Sequence, residues 1–207
     1  MPLGEPEFGE KHSTHLEYFV NSLCWNHVNG WKSNSPPRRR SDWPSWSWAG
    51  WAGEVRYPTW NQKPFELVFT KDIMVEVEEG QLRSVRHLLR TSFSPLMSKR
   101  LYVTTRYLPS NAFGLSHETI NVFNLKVRMY ISSRPPTVRD LIDALRGGKI
   151  QCLLMGHDSI DDIYLVIETV AGIASRVGLM MVAVRRGADG ETSFPFNDLP
   201  QGTFQIE

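Results

Sequence analysis

Four tryptophans, Trp43, Trp46, Trp48 and Trp51, fall within nine residues of one stretch, RRRSDWPSWSWAGWAGEVRY (38–57). No other feature restricts the fold so strongly. Each indole carries roughly 150–250 Å² of surface, and at about 25 cal/mol per Å² its burial is worth several kcal/mol. The spacing favours a core role. Trp46 and Trp48 are two apart, so in an extended strand they share one face while Ser45 and Ser47 take the other. PSWSW is therefore expected as a strand with its tryptophan face inward. AGWAG is expected as a bend in which small residues let two backbones approach.

With 207 residues the chain can bury a sizeable core as one domain. Residues 1–10, rich in Gly, Pro and Glu, read as a flexible lead-in, and 11–207 as a single domain: a helix plus the tryptophan tract over 11–60, then a β-rich body over 61–207. A formal net charge of +1 gives no electrostatic field for nucleic acid or an acidic membrane. Two cysteines, Cys24 and Cys152, make no disulfide framework and fit a reducing compartment. The lead-in has no apolar signal core, and the apolar runs are shorter than the ~20 residues a membrane helix needs. These features point to a cytoplasmic location.

Periodicity assigns the elements. Leu16, Phe19, Val20, Leu23, Cys24 and Val28 form a helical stripe over His12–Val28, with Thr14 and Glu17 placed for a capping box and Asn29-Gly30 as the stop. Beyond Trp60 the period falls to two. Strands are expected at Phe65–Thr70, Ile73–Val77, Leu101–Tyr107, Ile150–Met155, Ile163–Thr169, Leu179–Val184 and Thr203–Ile206. Thr119–Ser132 reads as two strands joined at a bulge near Asn124. Gln81–Arg90 reads as a helical turn or a loop. Thr137 caps a short helix to Arg146, with Leu141, Ile142 and Leu145 inward and Gly147 as its stop. The expected class is mainly β, an antiparallel sandwich or barrel-like body, with an N-terminal amphipathic helix and one short internal helix (α+β).

The tract resembles the segment that follows the heterokaryon-incompatibility (HET) domain of filamentous-fungal proteins. The matching residues are Arg39, Arg40, Pro44, Ser45, Trp46, Ser47, Trp48, Ala49, Gly50, Trp51, Gly53 and Tyr57. Phe19–Trp25 is similar to that family's hydrophobic helix ending in Leu-x-Trp, Gln151–Gly156 to its Cys-containing strand, and Tyr164–Gly178 to its late strand and Gly-x-Ala-x-Arg-Val-Gly turn. The markers of the HET domain itself, a YLWIDSLCI-like strand and a WTLQE-like motif, are not in this sequence. The chain therefore looks like the C-terminal companion region alone, beginning at its own Met1, and no activity of the HET domain transfers to it. The resemblance implies a non-catalytic scaffold in non-self recognition, with a HET domain as partner in cis or in trans.

Other candidate sites read more plainly as structure. His12 and His15 are three apart, but a zinc site needs three or four ligands, so no metal is assigned. His157, Asp158, Asp161 and Asp162 cluster acid and imidazole after a strand, the composition of a polar turn as well as of a hydrolase. Cys24 and Cys152 lie in apolar surroundings and read as small hydrophobes. Asp189-Gly190 marks a hairpin turn. Arg176, in the Ala171–Gly178 turn, reads as an intramolecular clamp onto carbonyls or an acid such as Glu168, and otherwise as a partner contact. No cofactor is required. Two alternatives remain: the tryptophans beside Arg38–Arg40 as a surface for carbohydrate or single-stranded nucleic acid, and a hydrolase built on His157 and Asp158.

Overall fold

Beyond residue 73 the chain alternates β-branched and aromatic residues with polar ones, and strand dominates. The computed structural model describes residues 19–20, 22–27, 37–56, 73–90, 100–116, 119–132, 137–157, 161–183 and 198–207. Two short antiparallel pairs come first: β1 (Asn26–His27) with β4 (Val55–Arg56), and β2 (Arg38–Arg39) with β3 (Trp51–Ala52). There follow β5 (Met74–Glu78), β6 (Gln81–Ser84), α1 (Val85–Arg90), β7 (Leu101–Arg106), β8 (Phe113–Ser116), β9 (Thr119–Val122) and β10 (Leu125–Ile131). Helix α2 (Val138–Arg146) precedes β11 (Ile150–His157), β12 (Asp161–Val170), β13 (Ile173–Ala183) and β14 (Gln201–Ile206).

Strands β11, β12 and β13 form an antiparallel meander. β13 continues through a single parallel register point, Ala174 beside Ile206, to β14, which pairs antiparallel with β7. The sheet then curls back on itself. Tyr107 bridges Leu153, Leu108 N–H donates to Cys152 O at 3.0 Å, and Thr105 Oγ1 donates to Leu154 O at 2.6 Å. The far edge of β7 carries β5 and β6, and the second half of β13 carries β10, β9 and β8.

Both faces of the meander are covered, which is why its strands read as near-continuous apolar runs. Leu153, Met155, Ile163, Leu165, Ile167, Leu179 and Met181 face a first core shared with Phe19, Leu23, Trp46 and Val75. Cys152, Leu154, Tyr164, Val166, Met180 and Val182 face a second, closed by Leu141, Ile142 and Leu145 of α2. Thr137 caps α2, its Oγ1 accepting from Asp140 N–H at 3.0 Å, and Gly147 N–H returns to Asp143 O at 2.8 Å. Cap, apolar face and stop are those its sequence predicts.

The mainly β class holds, but several elements depart from expectation. Of the expected His12–Val28 helix, Phe19, Val20, Ser22 and Leu23 are helical and Cys24 and Trp25 have left it, while 12–18, 21 and 28 lie outside the described residues. Asn26–His27 is strand, because pairing with Val55–Arg56 outweighs local helical preference. Thr119–Ser132 is two strands, as expected, but the joint is a tight turn. Phe123 and Asn124 both take positive φ, 47° and 65°, the geometry of a two-residue hairpin. Gln81–Arg90 divides into a strand and a helix. The Ala171–Gly178 segment is a turn only at Ala171-Gly172, and β13 begins at Ile173. Its Gly178 fits because β10 lies close alongside there, Ile131 opposite it: a Cβ would strike Tyr130 O. Strand Phe65–Thr70, His12, His15, Tyr57, Asp158 and the Asp189-Gly190 turn lie outside the described residues.

Candidate functional site

The tryptophan tract does not run as a strand. Pro44 opens a turn in which Ser47 N–H donates to Pro44 O at 3.2 Å, and Trp48–Gly50 is one turn of 3₁₀ helix capped by Ser47. The expected facing is therefore corrected. Ser45 and Ser47 are buried, Trp46 is buried, and Trp48 is 51% exposed. Bonds to the backbone hold the serines inside. Ser45 Oγ donates to Glu207 O and accepts from Arg176 N–H, tying the tract to β13 and to the residue after β14. Two buried hydroxyls with backbone partners outweigh the alternation rule, which assumes an extended chain.

Arg176 is the centre of this junction. Its side chain is fully buried, Nη2 donates to Trp25 O, Nε donates to Leu23 O at 3.3 Å, and the guanidinium carbon lies 3.5 Å from the Trp25 ring centroid. The planar fork thus takes carbonyls that become available where the first helical turn ends, and the indole covers its face. Glu168, the acid considered for Arg176, instead meets Lys149 Nζ at 3.1 Å.

Around Trp25 the aromatics pack edge to face: His27 at 5.1 Å and Trp51 at 6.2 Å between centroids, with His27 to Trp51 at 5.7 Å. Trp51 Nε1–H donates to Ser45 O at 3.0 Å, and Phe19 lies 6.4 Å from Trp46. Gly50 is needed for close approach, since a Cβ would overlap Pro44 O. Arg39 Nη1 donates to Gly50 O at 2.9 Å and to Arg40 O at 2.5 Å, and burial lowers its pKa. Gly53 faces the His27 ring at an exposed bend. In the sequence Trp25 stands only as the last residue of the Leu-x-Trp segment, and His27 was not singled out. Their signal is the period-two run Leu23, Trp25, His27, which the helical stripe obscures.

Not all of the tract is interior. Trp43 is 46% exposed, and Arg38 and Arg40, near it in sequence, are exposed as well. Arg40 N–H donates to Gly50 O at 2.8 Å and Trp43 N–H to Arg40 O at 3.4 Å, so Arg40 sits between the Trp43 turn and the Trp48 helix. These exposed side chains, all within residues 38–48, make up the tract's aromatic and cationic rim.

Titration follows burial. Desolvation pushes the Cys24 thiol up to about 12 against the lowering effect of Arg176, and pushes Cys152 higher still. Both therefore stay protonated at neutral pH. Burial lowers the His27 imidazole, which the Glu54 backbone opposes and Arg176 reinforces. Tyr164 is raised well above its ordinary range by burial and then by the Asp162 charge. His157 ends β11 opposite Asp162, and Asp161 pairs with Arg128. Among the described residues no three His, Cys, Asp or Glu side chains gather into a metal-holding group, and no helix is long and apolar enough to cross a membrane. No protein-family model, no curated protein and no solved structure matches the chain.

Proposed function

We propose that this chain is a non-catalytic support and docking region of a HET-like fungal protein, acting in non-self recognition. The observation that carries the reading is the division of labour within the motif. Ser45, Trp46, Ser47, Gly50 and Trp51 are buried where the tract meets the first helical turn, β13 and Glu207. Trp43 and Trp48 stand outside with Arg38 and Arg40, large indoles that the fold itself does not bury. Exposed Trp and Arg are the residue types that dominate binding energy at protein interfaces. The rim is accordingly the surface offered to a HET domain, in cis or in trans.

The test is titration of the full chain with a recombinant HET domain from the same host, followed by calorimetry. Saturable binding is expected, weakened about tenfold or more by the double substitution Trp43→Ala, Trp48→Ala. Absence of binding, or binding indifferent to that substitution, refutes the reading. The same rim favours a second reading, because indoles flanked by arginines also stack on bases and sugars. Binding of oligo(dT) or a glucan oligomer that disappears in the same double variant, with no HET-domain binding, would put that reading in its place.

A further inference from the structure

The outer edge of β8 offers a second surface, on the opposite face of the β11–β13 meander from the tryptophan tract. β8 pairs on one side only, with β9, and among the described residues no strand covers its other side. The register gives the direction of its amides. Phe123 N–H donates to Ala112 O at 2.9 Å, which makes that pair hydrogen-bonded. In an antiparallel ladder the bonded pairs alternate, so Gly114 and Ser116 turn their backbones to β9 while Phe113 and Leu115 turn theirs outward. Arg146 confirms the direction independently, its Nε and Nη2 donating to Phe113 O at 3.2 and 3.1 Å. The N–H and C=O of Leu115 come next along this edge.

Beside the edge runs an open groove of about 630 Å³ between β8 and α2. Ile142 is its buried floor, and Leu115 and Val138, 42% and 43% exposed, are its apolar walls. Arg139, Arg146 and Asp143 also line it, so the groove carries one excess positive charge (two cations against one anion). Outward backbone groups, apolar walls and a net positive lining suit one kind of ligand. Strand addition supplies backbone bonds, and the pocket selects alternate side chains.

We propose that β8 and α2 form a peptide groove that takes an extended acidic segment of a partner protein as an added strand. An aliphatic side chain enters between Leu115 and Val138, the segment's backbone bonds to Leu115, and a carboxylate meets Arg139. The groove is independent of the HET reading and of the tryptophan rim.

The test uses the full chain and a fluorescein-labelled hexapeptide of alternating valine and glutamate, read by anisotropy. Saturation is expected, with the valine–lysine counterpart at least about tenfold weaker. Arg139→Glu and Val138→Asp, both on the exposed side of α2, should each weaken the acidic peptide by about tenfold. N-methylation of alternate peptide amides should abolish binding, and bound peptide should slow hydrogen exchange at the Leu115 amide. The N-methyl comparison uses the native chain, so it decides the matter even if a variant unfolds. The proposal is overturned by lack of saturable binding, by binding indifferent to N-methylation and to both substitutions, or by a dimer formed through β8 that shuts the edge in the free chain.

Discussion

Arg176→Met removes the guanidinium while keeping much of the side-chain volume. Two carbonyls, Leu23 O and Trp25 O, lose their donor in a buried setting, at about 1–3 kcal/mol for each polar group left unpaired. The stacked contact on Trp25, at 3.5 Å, is worth up to about 2 kcal/mol when desolvated. Against this, the variant no longer has to bury a cation, a cost of several kcal/mol that the native contacts already offset. Two buried carbonyls left without their donor set the expected loss at about 2–6 kcal/mol. It is a large share of the ~5–15 kcal/mol that holds an ordinary domain. Urea unfolding followed by tryptophan fluorescence should show a lower midpoint with the slope unchanged. Hydrogen exchange should accelerate first at residues 23–27. Arg176→Lys, which keeps the charge without the fork, should fall between. A loss under ~1 kcal/mol, or a gain, would refute the reasoning: the apolar side chains of Phe19, Val20 and Leu23 would then hold the segment without the arginine.

Three further outcomes are expected. Trp46→Ala should cost about 3–5 kcal/mol as a core truncation, while Trp48→Ala should change stability by no more than ~0.5 kcal/mol; equal effects in denaturant unfolding would overturn the placement of the two rings. Gly178→Ala should destabilise by about 1–3 kcal/mol through overpacking against Tyr130 O, measured as a fall in Tm with loss of amide protection along β10. Stability should also decline as pH falls below ~6.5, the ordinary histidine value. The unfolded chain takes up a proton on His27 before the folded chain does, so this contribution is complete above the unfolded pKa and is lost on acidification toward the lowered folded one. His27→Gln should flatten that limb of the stability–pH curve, and an unchanged slope would count against burial of the imidazole.

Legibility in the sequence followed the range of the interaction. Helix α2 was readable to the residue, because Thr137, the Leu141–Ile142–Leu145 face and Gly147 act within one or two turns of each other. The meander strands were readable because burial on both faces leaves an apolar run whatever the partners. β8 was missed: FGLS is short, holds a glycine and pairs through a hairpin that local propensity does not announce. The serines of the tract were placed on the wrong face because their partners, Glu207 O and Arg176 N–H, lie 162 and 131 residues away.

The sequence by itself determined that this chain is mainly β, that it needs a large core, and that a capped helix ends at Gly147. Hydrophobic period, caps and turn residues are local, and they survive translation into one dimension. Only the tertiary structure decided which indoles are interior, which carbonyls Arg176 takes, and where an unpaired strand edge opens beside α2. Each of those depends on which distant backbone groups arrive at the same place, and a buried polar group must find its partner wherever the fold delivers it.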